Sequence, residues 1–535
     1  MSEAAPTESP VDESKNGLRL RAALIVFGVC ALALPLCFAL YTGNTWEDYF
    51  ITFRHSKNLV DGHGPVFQPG ERTHGFTSPI NTMLPALFFW MTGAEDHLPA
   101  LWLYRLVSLV FFAAGGVLVL WWLRDRRLSM LLASLYFLLS IKATVYASNG
   151  QEAGFMLAFL ALALVGMCSG HKRAWLITGL AWAGLMYTRP DTPVFVTALG
   201  IAGVLFTPNG RKEMFVLLMK AAAVCTVLYL PWFIWAWSYF GSPVPHSAVA
   251  KGVAQDPVSL VALIRAFPDI LVQTYLPIYH MFGGWPGWLT LMATAMGILP
   301  ALYWACPVKD PLGRSASLVY ALVGLYLAYV NVRGFAYPWY FPPLEFLAGI
   351  SLASGLPIVV RRWMTEGRHG KILLVVNLVF LGTMLYVYAL SWVQIQRQQS
   401  IVEDGHRRMI GLWLKDNIEE GDTVFLEPIG YVGYFSEAHI LDFPGLVSPS
   451  VVESRRKGND YFGAIVDLKP NWVAMRPWEA KKALAVPEIE AAYSLAMDFD
   501  VRGHVNQYAG MPGHAWLLYD ARFLLFKRQD SSSSE

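Results

Sequence analysis

Apolar runs long enough to cross a bilayer recur from residue 19 to residue 393, at 19–41, 99–123, 128–147, 151–168, 174–190, 192–206, 214–240, 285–305, 315–333, 340–360 and 371–393. Lipid offers a backbone no hydrogen bonds, so segments this long and continuous fold as helices that satisfy their own N–H and C=O groups. The sequence therefore predicts a polytopic α-helical membrane protein with about eleven transmembrane helices. A chain that is 55% hydrophobic and 15% charged, with a mean hydropathy of +0.40, fits no soluble class. A formal charge of +2 gives no ground for a nucleic-acid partner. Cys30, Cys37, Cys168, Cys225 and Cys306 fall in or beside apolar runs without paired spacing and read as small core residues.

The run 79–93 is short for a span and contains Pro79 and Pro85, so it is expected to be interfacial or re-entrant. With it left out, Lys15, Arg19 and Arg21, the cluster Arg124, Arg126 and Arg127, then Lys172, Arg173, Arg211, Lys212, Lys309, Arg314, Arg361, Arg362, Arg368 and Lys371 all fall on one side. The positive-inside rule makes that side cytoplasmic, with the N-terminus in and the C-terminus out. Residues 1–18 are expected to be a disordered cytoplasmic head and 531–535 a disordered tail.

The opposite face collects the segments that carry chemistry. Residues 43–98 form the first outer loop, opened by the adjacent acids Glu47 and Asp48 and dense in Arg54, His55, Lys57, His63, Arg72 and His74. Other outer turns hold Asn149, Gln151 and Glu152; Arg189 and Asp191; His246 and Lys251; and Arg333, Tyr337, Trp339 and Tyr340. Charges at matching depth in a membrane protein are expected to converge in one polar cavity, because burying them singly in lipid is costly. Plainer readings stand beside this one. The acid pair also reads as an N-terminal cap of the helix that follows it, and Glu152 as a cap of its own helix. Lys251 reads as a snorkelling lysine, and Arg189 with Asp191 as a local ion pair. Tyr337, Trp339 and Tyr340 read as an interfacial belt, and His63 and His74 as loop-structuring residues.

From about 394 to 530 the composition turns soluble and predicts a small α/β domain on the outer side. Residues 403–418 have helical spacing, GDTVFLEP and PNWVAMRP read as strands, and WLLYDARFLLFKR as a strand pair.

The run EDYFITFRHSKNLVDGHGPVFQPGERTHGFTSP resembles the first outer loop of the GT-C superfamily of membrane glycosyltransferases, and within it the terminal β-(1→2) arabinofuranosyltransferases. The matching pieces are the acid pair, the amphipathic YFITFRHSKNL, GHGPVFQPGE and the Gly75-Phe76-Thr77 turn; SNGQEAGF, FGSPVPHSAVAKG and LDFPGLVSP resemble further segments of that group. The chain departs from it at Glu47, at Thr73-His74 and at His246, which bears on the sugar and acceptor rather than on the reaction class. The resemblance implies a GT-C-type transmembrane domain over 19–393 and transfer of a sugar, with the pentose arabinofuranose first, from a polyprenyl-phosphate donor. The acceptor would be a glycan, lipid-linked glycan or protein on the outer face of a bacterial plasma membrane. An inverting transfer needs a carboxylate base, for which Asp48 and Glu47 are the candidates, and cations for the departing phosphate, for which Lys251, Arg333, Arg54 and His55 are the candidates. His246, Glu152, Tyr340 and Arg189 are the candidate substrate-binding residues. No cofactor beyond the lipid-linked sugar and no metal site is assigned. An oligosaccharide ligase with a pyrophosphate donor is the nearest alternative; a lipid or sugar transporter and a receptor anchored by its spans are the others.

Overall fold

The structure is a computed structural model and describes residues 10–93, 95–206, 210–253, 257–366 and 369–529. The expected tail and residues 1–9 of the expected disordered head fall outside these, while residues 10–18 of that head are helical. Helix α1 (Pro10–Thr42) carries the first apolar run. Then follow α2 (Glu47–Val60), α3 (Pro79–Thr92), α4 (Leu98–Trp122), α5 (Arg127–Leu138), α6 (Ile141–Ser148), α7 (Ala153–Cys168), α8 (Ala174–Thr188), α9 (Thr192–Phe206) and α10 (Arg211–Phe240). After these come α11 (His246–Gly252), α12 (Leu260–Gln273), α13 (Trp288–Leu302), α14 (Pro311–Arg333), α15 (Pro342–Glu366) and α16 (His369–Arg397).

Among the described residues seven helices are long and apolar enough to cross a membrane, or eight if the pair α5–α6, bent by 55°, is one broken span. The protein is multi-pass. Each of the other three expected runs is a helix, but α7, α8 and α9 have 16, 15 and 15 residues, under the roughly 20 that a perpendicular span needs. The bend has a local cause: Ser140 leaves the helix, and its Oγ accepts from Ala143 N at 3.1 Å, starting a new helix. Helix α3 has 14 residues, starts on Ser78 and Pro79 and ends at Gly93, whose φ of 57° closes the last turn. It packs between α2 and α4. Gly154 lies against the backbone of Ser108, so α7 approaches α4 more closely than any side chain would allow. That contact fixes the start of α7, where Glu152 sits.

At residue 393 the chain has no linker. Helix α16 runs without a break into a π-helical segment (Gln398–Arg407) and α17 (Arg408–Asn417). The C-terminal domain beyond it, the one the charge pattern is expected to place outside, has a five-stranded sheet in the order β2-β1-β3-β5-β4. Its strands are β1 (Thr423–Leu426), β2 (His439–Asp442), β3 (Trp472–Met475), β4 (Tyr493–Asp500) and β5 (Arg522–Arg528). Strand β1 is parallel to β2 and β3, while β5 is antiparallel to β3 and β4. Val424 and Leu426 pack on one face of β1 and Phe425 on the other, so the run VFL is apolar throughout because both faces are covered. The expected strand pair in WLLYDARFLLFKR is corrected: His514–Tyr519 is a helix and only Arg522–Arg528 a strand, paired instead with β3 and β4. Burial decides it. Leu517 packs with Val402, and Trp516 stacks on Tyr279 at 4.0 Å, contacts that helical spacing permits.

Candidate active site

Helix α2 lies where the membrane domain meets the outer domain. Its buried Tyr49, Phe50 and Phe53 join Phe88 and Phe89 of α3, Tyr104 of α4 and Tyr431 of α18 (Gly430–Ser436) in one aromatic cluster. The turn before it is braced by Arg105, an arginine inside the apolar run of α4 that sequence reasoning left unremarked. Its guanidinium donates to Ser148 O at 2.7 Å, to Asn44 O and to Thr45 Oγ1 at 3.1 Å. An arginine in the middle of a span is the signal that marks it. Trp46 N donates to Asn149 O at 3.1 Å, so the acids enter α2 in a fixed frame.

The two acids then diverge. Glu47 accepts from the backbone N–H of Gly430 and, at 3.3 Å, from that of Tyr431, at the first turn of α18, and pairs with Arg407 at 3.4 Å. Arg407 also holds Glu403 at 2.8 Å and Asp520. Glu47 is thus bound to the outer domain. Asp48 faces the other way. Among the described residues no donor lies within hydrogen-bonding distance of its carboxylate, while Lys251, Glu152 and Arg189 are near enough to act on it electrostatically. Burial raises its pKa to about 6, with Glu152 raising and Lys251 and Arg189 lowering it. Tyr146, Tyr279 and Tyr337 lie within the same electrostatic reach. Trp46 packs on Tyr146 at 5.4 Å, on Tyr279 at 6.1 Å and on Trp339 at 5.7 Å, which gives the site an aromatic wall.

Glu152 and Arg189 form one network beside Asp48. Glu152 accepts from Asn81 Nδ2 at 2.6 Å and from Arg189 Nη1 at 3.3 Å. Arg189 makes two further bonds to Asp191, at 2.9 and 3.0 Å, and stacks over Tyr340 at 4.4 Å. Three of its five N–H donors are committed to carboxylates, so the local-pair reading of Arg189 and Asp191 holds together with proximity to Asp48. Tyr340, Trp339 and Tyr337 stack in series, 6.2 and 4.4 Å apart, next to these charges. The ammonium of Lys251, in the last turn of α11, is 6.0 Å from the Tyr337 ring. His246 begins that helix and its N–H donates to His74 O at 2.8 Å. Arg333 ends α14 with its guanidinium 5.7 Å from the Tyr329 ring.

Two expected phosphate ligands are corrected. Arg54 donates to Gly433 O at 2.6 Å, Ala438 O at 2.8 Å and Glu437 O at 3.4 Å and lies on Phe67, so it fastens α2 to the outer domain. His55 is fully buried, with Nδ1 on Ile51 O at 2.8 Å, and burial lowers its pKa to about 3, so it is neutral and offers a phosphate no charge. His74 stacks flat on Phe240 at 4.5 Å in a structural role. Among the described residues no group of three His, Cys, Asp or Glu side chains is placed to hold a metal ion.

Solved structures share this architecture from end to end. ArnT from Cupriavidus metallidurans, bound to undecaprenyl phosphate, aligns over 96% of this chain and 98% of its own, with 12% identity and a TM-score of 0.55. The archaeal oligosaccharyltransferase AglB from Archaeoglobus fulgidus, in complex with an inhibitory peptide and a dolichol-phosphate, aligns over 96% of this chain and 74% of its own, with 12% identity and a TM-score of 0.52. The chain has the GT-C fold. Two curated relatives match part of the chain in sequence. The terminal beta-(1->2)-arabinofuranosyltransferase of Mycobacterium tuberculosis is 32% identical over 232 residues, 39% of this chain and 35% of that protein. Its namesake in Corynebacterium glutamicum is 31% identical over 249 residues, 41% of this chain and 35% of that protein. The chain thus spans about a third of the length of the curated relatives it matches. A family model described as a domain of unknown function (DUF8728) matches residues 393–519, most of the C-terminal domain.

Proposed function

We propose that the chain is an inverting membrane glycosyltransferase that takes its sugar from a polyprenyl-phosphate carrier. One observation carries the reading: Asp48 is a half-buried carboxylate with a pKa of about 6, at a site where a lysine and an aromatic wall meet it. A base poised just below neutral pH is ionised when needed and still accepts a proton readily. In the proposed step the acceptor hydroxyl oxygen attacks the anomeric carbon as its proton passes to Asp48. The bond from that carbon to the phosphate oxygen breaks, and polyprenyl phosphate leaves with the electron pair. Lys251 meets the growing phosphate charge. Arg189 holds Glu152 in place and favours its charged form against the burial that raises its pKa, so that the potential around Asp48 is set by fixed groups.

The names of the two curated relatives support arabinofuranose as the first sugar to test, and the lipid phosphates in the ArnT and AglB structures support a lipid-linked donor. The grouping of basic clusters on one side supports a plasma-membrane protein whose outer domain and site lie on the extracytoplasmic face. The acceptor there would be a cell-envelope glycan or protein. The deciding experiment measures transfer of radiolabelled arabinofuranose from synthetic polyprenyl-phosphate arabinofuranose to a cell-envelope acceptor fraction by the purified chain and by Asp48→Asn. Transfer that collapses in the variant supports both class and base. Transfer only from a polyprenyl-phosphate hexose corrects the sugar, and no transfer from any lipid-linked donor rejects the reading.

A further inference from the structure

We infer that Arg455 of the outer domain is a positioning residue for Lys251, holding the end of α11 so that the ammonium meets the donor phosphate. The inference rests on the reading of Lys251 given above. Helix α11 has seven residues, too few to persist on its own hydrogen bonds, and the carbonyls of its last turn lack partners within the helix. One of them, Ala250 O, adjoins Lys251 in the chain. It accepts from Arg455 Nη1 at 2.7 Å, and the same nitrogen donates to Pro444 O at 2.9 Å. A guanidinium from one domain therefore caps a helix of the other, and its positive charge suits a helix C-terminus.

The seat of Arg455 is itself rigid. The Asp442 carboxylate accepts from the backbone N–H of Gly445 at 3.0 Å, of Val447 at 2.9 Å and of Leu446, and Ser448 Oγ donates to Ile440 O at 2.9 Å. Gly445 turns with φ of +96°, in a space where a side chain would strike Val452 and Ser448 O. The Phe443 ring lies 5.3 Å from the guanidinium carbon. The far end of α11 is tied to the first outer loop through His246 N and His74 O, at 2.8 Å. With both ends held, the position of Lys251 follows from the outer domain as much as from the membrane domain.

The test measures binding of polyprenyl phosphate, the leaving lipid without its sugar, to the full chain in detergent. Lys251→Ala is expected to weaken binding about tenfold or more, the usual scale of one lost charge-assisted hydrogen bond. Arg455→Ala is expected to weaken it about fivefold in the otherwise native chain and to add nothing in the Lys251→Ala background, since a residue that acts only through Lys251 loses its effect when Lys251 is gone. Arg455→Lys keeps the charge but not the planar guanidinium that lies over Phe443, and is expected to fall between. It decides the matter if Arg455→Ala lowers the thermal midpoint. Native binding by the Arg455 variants, or a loss that multiplies with that of Lys251→Ala, overturns the inference while the phosphate role of Lys251 stands. Native binding by Lys251→Ala overturns that role, and the inference with it.

Discussion

The joint between α2 and the C-terminal domain and the charged cluster around Asp48 are built from the same residue types, a few ångströms of chain apart, yet they are finished differently. At the joint, Glu47 receives two backbone N–H groups and an arginine, and Arg54 supplies three backbone carbonyls. Every charge there is met by a partner that cannot move without unfolding something. In the cluster, Asp48 is held near opposite charges but out of hydrogen-bonding contact with them, and its pKa rises because its burial outweighs the pull of Lys251 and Arg189. Saturated charges hold a structure; an unsaturated one is available to a substrate. Neighbours in sequence can thus divide the labour of anchoring and chemistry.

The sharpest way to break this comparison is to neutralise each acid in turn. Asp48→Asn is expected to lower kcat by about a hundredfold or more. Because its folded pKa of about 6 lies above the ordinary carboxylate value, the charged form costs stability that is lost progressively as pH rises from about 4 to about 6. At pH 7.5 the variant should therefore unfold no lower than the native chain, in a thermal melt. Glu47→Gln should do the opposite, lowering the midpoint by the equivalent of about 1–3 kcal/mol while kcat changes by less than about tenfold. A larger kcat loss for Glu47→Gln than for Asp48→Asn would reverse the assignment. Next in size, Arg54→Met should cost about 2–4 kcal/mol in a melt, because buried carbonyls lose their donor, with donor affinity nearly unchanged; a selective loss of donor affinity would return Arg54 to the phosphate. The smallest effect concerns pH. The profile of kcat/KM should rise with pH to a plateau above about pH 6 as Asp48 ionises, and in Lys251→Ala the rise should move to higher pH, since the lysine favours the charged carboxylate. An unmoved rise would place Lys251 outside the influence of Asp48.

Much of the architecture is legible because lipid imposes it. Long apolar runs have few ways to fold, and Pro79 and Pro85 already set α3 apart as a short helix. Glu152, Arg189 and Tyr340, far apart in the chain, gather because charges at the same membrane depth have only one another to pair with. What sequence conceals is pairing across distance. Nothing near Glu47 announces Arg407, or near Lys251 announces Arg455, and Arg54 and His55 look like cationic ligands until their carbonyl partners and burial are known. The helix at His514–Tyr519 was hidden for the same reason: its apolar residues suit a strand locally, and only Tyr279, in the other domain, selects the helix.

The unbroken helix from α16 through α17 has a mechanical consequence. Counted from Lys371 to Asn417 it has 47 residues, a lever of roughly 70 Å at the usual rise per residue. A tilt of about 5° at its membrane end would sweep the far end through about 6 Å, at this length. Gln399, on the π-helical stretch of that lever, accepts from Thr45 N at 3.0 Å, two residues ahead of the acid pair. Changes in bilayer thickness, which tilt long spans, would in this way reach the acid pair as displacement.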